Sequence, residues 1–385
     1  MDRDELAGLH CKHEGDGPGR AASERTGTWP GASPVSAAAI DFLAAVPATS
    51  VALHRQFEKS ENHVTIASRL NPKAGKALNR LTKSMRHSIL SEFARQNDET
   101  RSAIGHLEAW QRRNVPPGDL RGAEFQVFSQ WNEDGIIQHL ISHIPLAEHT
   151  FIEFGADTYQ ESNTRFLVTN DNWSGLILDA DSAFLDFIRR RGLMWRYELS
   201  TRQVLLTADN LNDSIGDAGF TGDVALLSID VDGNDYWLWE ALEVVSPRIV
   251  ICEYNSTFGP DLAVSVPYDP AFLYSDAHPS RLYFGASLRA LCQLAGKKGY
   301  RFVGCESHGA NAFFVRADLD SSLPTVSVEA GYVKSKFRLS ERQGVRTYIG
   351  EHRDRLREMA SCVLEDVTTG ERKTVGELFG INTTH

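Results

Sequence analysis

Short apolar runs alternate with helical patterns through the middle of the chain. Five runs of strand length come first, each followed by a helix pattern or a loop, and two more runs lie close together after residue 300. Such alternation predicts βαβ units in a parallel sheet, and the last two runs predict an antiparallel pair at its edge. We therefore predict a doubly wound, Rossmann-like α/β domain. The predicted strands are 150–155, 175–180, 204–208, 225–231, 248–254, 301–305 and 312–316.

The fourth run, ALLSIDV, has no polar alternation before it ends at two carboxylates. Central parallel strands have this pattern because helices cover both of their faces. Asp230 and Asp232 would therefore stand at the carboxyl end of a central strand, where open α/β sheets bind their ligands. Asp235 follows within a turn sequence, and we interpret it as turn chemistry and a helix cap.

Composition and periodicity divide the chain into four segments. Residues 1–35 are rich in Gly, Pro, Ser and charge, which predicts a disordered tail, and residues 36–120 have a helical pattern. Residues 121–320 carry the α/β pattern, and residues 321–385 form a C-terminal extension. In that extension, 341–362 has helical spacing, and 363–378 predicts two short strands or a strand and a helix.

A long helix is predicted over 73–113, with apolar side chains three and four residues apart on one face. That stripe could contact a second copy of the chain or act as a lid. It could equally pack against its own domain. The stripe consists of Leu78, Leu81, Met85, Ile89, Phe93, Ile104 and Leu107.

Charge restricts the classes of partner. The net charge is −11, and it originates in residues 121–320, which hold 28 acidic and 14 basic side chains. Such a segment is unsuited to gripping phosphate backbones, so we expect no nucleic-acid partner. The five cysteines form no C-x-x-C pair, and Cys252 and Cys305 lie in apolar runs, which predicts buried positions. No membrane-length apolar run or secretory signal is visible, so we expect no membrane partner and a cytoplasmic location.

Several strings in the middle of the chain form a specific set: SQWNEDGII, FIEFG followed by ESNTRFL, NWSGLILDA, LLSIDVDGNDYW, ICEYNSTFG, YFGASL and NAFFVR. With the element order and the final hairpin, they resemble class I S-adenosylmethionine-dependent methyltransferases. The closer resemblance is to a bacterial group related to the FkbM-type methyltransferases. It covers about residues 128–318, and it implies the fold, S-adenosylmethionine as cofactor and methyl transfer.

The resemblance also implies roles for individual residues. By position, Glu153 and Gly155 match the acid and the first glycine of the cofactor loop. Asp179 matches the acid after the second strand that binds the ribose hydroxyls, and Asp209 matches the region beside the adenine.

The cofactor loop departs from the family pattern. Its two later glycine positions are Asp157 and Tyr159 in this chain. Glycine permits close approach of a ligand to the backbone, whereas a ring and a nearby carboxylate change both space and charge. The cofactor is therefore expected to sit differently, or to be absent.

Asp230 and Glu253 follow adjacent predicted strands and resemble, in placement, two metal carboxylates of the catechol-type O-methyltransferases. A divalent cation such as Mg²⁺ would relieve their repulsion, with Asn255 completing an oxygen shell. Asp232 is the alternative second ligand or a general base. Glu253 could instead be a buried carboxylate satisfied by backbone and hydroxyl donors. His308, between the last two strands, is the best-placed histidine for a base, the alternative being an ordinary surface-loop histidine.

Two functions from different classes remain. The first is an S-adenosylmethionine-dependent O-methyltransferase acting on a sugar or other polyhydroxylated metabolite, with or without help from a metal. The second is a methyltransferase fold that has lost methyl transfer and serves as another metal-using enzyme, or as a binding module in glycan or natural-product assembly. The expected partners are a small-molecule or glycan acceptor and a second copy of the chain bound through the N-terminal helix.

Overall fold

The computed structural model describes residues 72–336, 339–342 and 345–381. The chain divides into two compact units, 1–88 and 89–385. The predicted tail 1–35 and the helical pattern up to residue 71 lie outside the described residues. Within the described residues, no helix combines the length and the apolarity needed to cross a membrane.

Seven strands form the main sheet, in the order β3-β2-β1-β4-β5-β8-β7. All neighbours pair in parallel except β8, which runs antiparallel to both β5 and β7. The predicted fold class and the closing hairpin are confirmed. The strands are β1 (Thr150–Phe154), β2 (Ser174–Asp179), β3 (Leu199–Gln203), β4 (Gly222–Ile229), β5 (Val245–Glu253), β6 (Val264–Ser265), β7 (Tyr300–Cys305), β8 (Asn311–Arg316), β9 (Leu339–Arg342), β10 (Val345–Tyr348), β11 (Val363–Asp366) and β12 (Arg372–Thr374).

Helices cover both faces of this sheet. Successive strand residues point to opposite faces, so Phe151 joins a core with α3 and α5, whereas Ile152 joins a core with α8 and α10. The helices are α1 (Pro72–Arg112), α2 (Leu120–Ala123), α3 (Glu133–Ser142), α4 (Arg165–Asp171), α5 (Ala183–Arg191), α6 (Leu193–Arg196), α7 (Leu211–Gly216), α8 (Asp235–Ala241), α9 (Tyr274–Ala277), α10 (Leu288–Lys297), α11 (Val328–Gly331), α12 (His352–Glu358) and α13 (Val375–Phe379). A short 3₁₀ turn spans Ser256–Phe258.

The third strand was predicted at the wrong place. It occupies Leu199–Gln203 rather than 204–208. As an edge strand it is only partly buried, so its sequence LSTRQ carries little hydrophobic signal. The apolar residues Val204, Leu205 and Leu206 belong to the following loop instead, where they line a pocket.

The C-terminal segment packs against the long loop that follows β5. Strands β6, β11 and β12 form a small sheet, and Val264 shares an apolar core with Met359 and Val375. Residues 341–362, predicted as helical, contain part of the hairpin β9–β10 before α12 begins. For 363–378 we predicted either two short strands or a strand and a helix. The segment contains both, because the strands β11 and β12 are followed by α13.

The apolar stripe of α1 does not enter a core. Ile89, Phe93, Ile104 and Leu107 are between 41% and 64% exposed. Within the described residues these four side chains do not pack into a core, and a contact with a second copy stays a prediction. The face of α1 that includes Gly105 contacts the α/β core instead. A Cβ at Gly105 would lie 2.4 Å from Val127 and 2.8 Å from Phe166, so only glycine permits this approach.

An ion pair joins α1 to the α/β core. Arg165 is buried, donates to Asp98 of α1 at 2.5 Å and lies 3.9 Å from the centre of the Phe128 ring. It also donates to the carbonyl of Gln160 at 2.9 Å. A guanidinium removed from water needs such a partner, because an unpaired buried charge is costly. The pair therefore holds the loop before α4 against α1.

We expect Asp98→Asn to lower the free energy of unfolding by about 2–3 kcal/mol, since it leaves the Arg165 charge buried without its carboxylate. Urea denaturation followed by circular dichroism measures this change. Glu99→Gln, at an exposed position on the same helix, is the control and should change stability by less than about 0.5 kcal/mol. Equal effects of the two substitutions would contradict a role for the buried pair.

Candidate functional site

An open pocket of about 530 Å³ lies at the carboxyl ends of β1, β2, β4 and β5. Of the described residues that line it, eight carry carboxylates and none is Lys, Arg or His. A concave surface of one charge concentrates ions of the opposite charge, so this pocket favours a cationic ligand. The carboxylates belong to Glu153, Asp157, Glu161, Asp179, Asp181, Asp230, Asp232 and Glu253.

Gly155 brings the ends of β1 and β4 together on the pocket floor. Its φ of +74° lies in the left-handed region, and a Cβ there would lie 1.5 Å from the carbonyl oxygen of Asp230. No other residue can occupy this position without moving the backbone. The predicted cofactor-loop glycine is thus also the residue that sets the distance between the two central strands.

Asp157 and Tyr159 keep the backbone conformation that glycine would adopt. Their φ angles are +44° and +58°, and a bulky residue in this region carries strain of about 1–3 kcal/mol. The Tyr159 ring is fully buried in the core with α3 and α5, and its hydroxyl lies 3.2 Å from the Thr164 hydroxyl. The ring therefore leaves the pocket open, contrary to the expected change in space. Asp157 does line the pocket and alters its charge.

Glu153 is buried beneath the pocket and bound by several donors. The Ser162 hydroxyl lies 3.0 and 2.8 Å from its two oxygens, the Thr164 hydroxyl donates at 2.5 Å, and the Asn163 N–H donates at 3.1 Å. Burial raises the pKa of Glu153 to about 7, although these donors act in the opposite direction. Glu153 thus fastens the residues before α4 to the end of β1.

Asp179 shapes the loop that follows β1. One of its oxygens accepts the backbone N–H groups of Ala156 and Asp157 at 2.6 and 2.8 Å, and the other accepts that of Asp181 at 2.7 Å. The second oxygen keeps one lone pair for a hydroxyl donor. The residue predicted to bind ribose hydroxyls therefore lies in the pocket and also holds the neighbouring loop.

Asp209 does not reach the pocket. It is exposed in a turn, where the side chain of Asn210 accepts the N–H of Thr207 at 2.8 Å. The loop after β3 lines the pocket through the apolar residues Val204, Leu205 and Leu206. The role beside an adenine predicted for Asp209 therefore has no support in this geometry. The shift of β3 toward the N-terminus explains the difference.

Asp230 and Glu253 converge, as their positions on adjacent strands predicted, and Asp235 joins them. Ligand oxygens of the three carboxylates all lie within 4.8 Å of one another. Burial, followed by the neighbouring carboxylates, raises the pKa values of Asp230 and Glu253 well above their ordinary range. Among the described residues, Glu253 Oε2 has no hydrogen-bond partner despite its burial. This arrangement fits a divalent cation or a shared proton.

Asp235 combines two roles. Its oxygens accept the backbone N–H groups of Val231 and Gly233 at 2.8 and 2.9 Å, as the turn interpretation predicted. Burial raises its pKa to about 6. The sequence interpretation missed its proximity to Asp230 and Glu253, which arises because the turn folds back over the end of β4.

The structure does not bring Asn255 into this group. Its amide donates to the carbonyls of Leu282 and Phe284 at 2.8 and 3.1 Å, and its oxygen accepts the N–H of Thr257 at 3.0 Å. Every polar atom of the side chain is thus engaged in anchoring the long loop. Asn255 is also not among the residues that line the pocket, so its oxygen does not reach the predicted metal shell.

Asn311 is the amide that the sequence analysis missed. It pairs directly with Glu253 across β5 and β8, so the two side chains lie on the same face of the sheet. It is buried and lines the pocket, and it donates to Glu133 at 2.9 Å. Its Oδ1 has no partner within the described part of the chain. The sequence offered one indication, because Asn311 directly precedes the last predicted strand, 312–316.

Asp232 lies beyond Asp230 at the pocket mouth. Its φ is +55°, and the residue is exposed to solvent. Removal of water by the surrounding pocket walls raises the pKa of Asp232, and repulsion from Asp157 and Asp179 raises it further. Asp232 is thus placed to accept a proton within the pocket, although it is not in the three-carboxylate group around Glu253.

His308 lies behind the pocket and is not among its lining residues. Its ring stacks on Trp131 with centres 4.5 Å apart, and its Nδ1 lies 3.4 Å from both Glu306 and Asn132. Glu306 is fully buried and accepts the backbone N–H of His308. These contacts favour the surface-loop alternative over a catalytic base, because a base must reach the reacting proton.

Comparisons with known proteins add little to this geometry. No protein-family model matches the chain, and no curated protein matches it significantly. An O-methyltransferase family protein from Burkholderia thailandensis is 13% identical, with a TM-score of 0.29 over 50% of this chain and 52% of that one. The chain therefore spans about half the length of that protein.

Two further solved structures are similar to a comparable degree. The N-terminal domain of EvdMO1, solved with S-adenosylhomocysteine bound, is 12% identical, with a TM-score of 0.31 over 51% of this chain and 83% of that one. The carbon methyltransferase CurJ is 11% identical, with a TM-score of 0.33 over 62% and 71% of the two chains. Values this low do not bear on the activity of this chain.

The raised pKa of Glu153 predicts a pH effect on stability. The proton bound by folded Glu153 stabilises the protein fully below pH 4.5, the ordinary pKa of Glu, and this stabilisation is lost as the pH rises to about 7. Between these values, the wild type should lose about 2–3 kcal/mol of unfolding free energy relative to Glu153→Gln. Urea titrations at several pH values test this. Glu161→Gln, at an exposed pocket residue, should keep the wild-type slope.

Proposed function

We propose that this chain is an S-adenosylmethionine-dependent methyltransferase that acts on a hydroxyl group. The observation that carries the proposal is the pocket at the carboxyl ends of the central strands, with eight carboxylates and no basic side chain. S-adenosylmethionine carries a sulfonium and an ammonium group against a single carboxylate. A cationic ligand of this kind suits the charge of the pocket.

The loop around Gly155 supports the same assignment. Asp179 fixes the backbone of Ala156 and Asp157 at the pocket wall and keeps acceptor capacity for a hydroxyl group. The apolar residues Val204, Leu205 and Leu206 supply a surface suited to a flat ring. The cofactor would supply an already activated methyl group, so the protein has mainly to orient the acceptor and help to remove its proton.

Asp230, Glu253 and Asn311 would hold a divalent cation in this proposal. Their oxygens are the ligand type that Mg²⁺ prefers. Glu253 Oε2 and Asn311 Oδ1, which have no hydrogen-bond partner among the described residues, fit such a use. A cation there would lower the pKa of a hydroxyl acceptor. Asp232, at the pocket mouth, would accept the released proton.

The acceptor class rests on the sequence resemblance to the FkbM-related group. We propose a sugar or another polyhydroxylated metabolite of glycan or natural-product assembly. A hydroxyl group on such a molecule is a weak nucleophile at neutral pH, and the proposed base and cation would compensate for that weakness.

Asp179→Asn should weaken the binding of S-adenosylmethionine and S-adenosylhomocysteine by about 10- to 100-fold, because it removes the charge from bonds to the ribose hydroxyls. Isothermal titration calorimetry measures both affinities. Asp209→Asn is the matched control and should bind as the wild type does, since Asp209 lies outside the pocket. Unchanged affinity in a folded Asp179 variant would remove the cofactor assignment.

Mn²⁺ should bind the protein, and Asp230→Asn and Asn311→Ala should each weaken that binding at least about tenfold, because each removes a proposed ligand. Electron paramagnetic resonance of free Mn²⁺ gives the affinities. Asn255→Ala, which alters an amide outside the carboxylate group, should retain wild-type affinity for Mn²⁺. Absence of Mn²⁺ binding would leave Asp232 as a base without a metal. Mn²⁺ binding without any binding of S-adenosylmethionine would favour a metal-using enzyme of another class.

A further inference from the structure

A second groove adjoins the pocket. It has a volume of about 520 Å³, and Phe272 and Leu273 belong to the walls of both cavities. Its remaining lining residues come from the loop after β6, from α9 and from the segment that follows α9: Pro267, Tyr268, Asp269, Ala271, Asp276, Ala277 and Tyr283. A molecule in this groove would therefore lie next to a ligand in the pocket.

Three contacts fix the loop that carries Phe272 and Leu273 to the turn after β4 and to α8. The Trp237 indole N–H donates to the carbonyl of Val266 at 2.9 Å, and the Asn234 amide donates to the carbonyl of Asp269 at 2.8 Å. Gly233 leaves room for the Phe272 ring, since a Cβ at this glycine would lie 2.2 Å from that ring. The groove is thus built against the same turn that carries Asp232 and Asp235.

Asn234 marks the junction between the two cavities. Its side chain is buried and lines the pocket, while its amide nitrogen faces a carbonyl oxygen, which fixes the orientation of the amide. Its Oδ1 therefore points away from the Asp269 carbonyl, and within the described residues this oxygen has no hydrogen-bond partner. The hydrogen bond from its amide nitrogen therefore holds the loop whose residues Phe272 and Leu273 form the wall between the two cavities.

The chemistry of the groove is aromatic and acidic. Tyr268, Phe272 and Tyr283 offer ring surfaces, and the Phe272 and Tyr283 ring centres lie 6.4 Å apart. Asp269 and Asp276 are exposed carboxylates of the groove, and none of the described residues that line it is Lys, Arg or His. Aromatic faces and carboxylates both attract ammonium groups, whereas the two carboxylates repel an anionic group.

We propose that this groove is the acceptor site and that it selects a hydroxylated ring carrying an ammonium group over neutral and anionic rings. The assignment as acceptor site rests on the proposed methyltransferase function, whereas the preference for ammonium rests on the groove alone. The ring would pack on the surface that Phe272 and Tyr283 present to the groove, with its ammonium group near Asp276. A hydroxyl on its far side would face the pocket.

The test uses three sugars of similar size, with the full chain and saturating S-adenosylhomocysteine. Saturation-transfer NMR measures binding of glucosamine, methyl α-glucoside and glucose 6-phosphate. We expect glucosamine to bind about three- to tenfold more tightly than methyl α-glucoside, and glucose 6-phosphate to show no saturable binding. Equal binding of glucose 6-phosphate and glucosamine would overturn the proposal.

Matched variants locate the site. Tyr283→Ala should weaken glucosamine binding about tenfold, while Tyr283→Phe, which keeps the ring, should bind nearly as the wild type does. Asp276→Asn should remove the preference for glucosamine and leave methyl α-glucoside binding unchanged. Unchanged glucosamine binding in folded Tyr283→Ala protein would refute the location. Ala271→Trp, which fills the groove from an exposed position, checks that result and should abolish sugar binding.

The methyltransferase proposal and the groove proposal can be rejected independently of each other. Repeating the titrations without S-adenosylhomocysteine tests the groove alone, and S-adenosylhomocysteine binding is measured by calorimetry in the same samples. Loss of cofactor binding with retained glucosamine binding would reject the methyltransferase function but not the ammonium preference. Cofactor binding without glucosamine binding would reject the groove proposal alone.

Discussion

Parallel strands bring their carboxyl ends to one edge of the sheet, and in this protein those ends carry acids. Burying several carboxylates in one place raises the free energy unless each gains donors, a proton or a cation. Glu153 gains hydroxyl and backbone donors, and Asp235 gains two backbone N–H groups. Asp230 and Glu253 lack a comparable set, and Glu253 Oε2 has no partner among the described residues. The free-energy cost of burial that is left without compensation is therefore largest at Asp230 and Glu253, where we propose the chemistry.

The loop after β1 holds two non-glycine residues in a backbone conformation that favours glycine. Asp157 and Tyr159 both adopt positive φ angles. The buried Tyr159 ring adds apolar area to the core, which offsets part of the strain. The Asp157 carboxylate adds negative charge to a pocket that is already acidic. These two side chains therefore affect the electrostatic field of the pocket more than its shape.

The C-terminal segment contributes to the two cavities by supporting the long loop after β5. The C-terminal strands β11 and β12 and the helices α12 and α13 share a core with the long loop after β5, and that loop supplies Phe272 and Leu273 to both cavities. Long loops without such support are usually mobile. Here a packed C-terminal core and the anchor at Asn234 give the second groove a defined wall.

The sequence by itself determined the doubly wound sheet, its closing hairpin and the position of Asp230 and Glu253 on adjacent strands. Hydrophobic periodicity and the succession of strands and helices are properties of the local sequence, and consecutive elements usually lie next to each other. It misplaced β3, since an edge strand has a weak pattern. Only the tertiary structure showed that Asn311 faces Glu253, because that pairing joins residues far apart in sequence. The same holds for Asn255 and His308, whose side chains bind the long loop and Trp131 instead of the pocket. Side-chain direction depends on packing partners that no spacing of residues encodes.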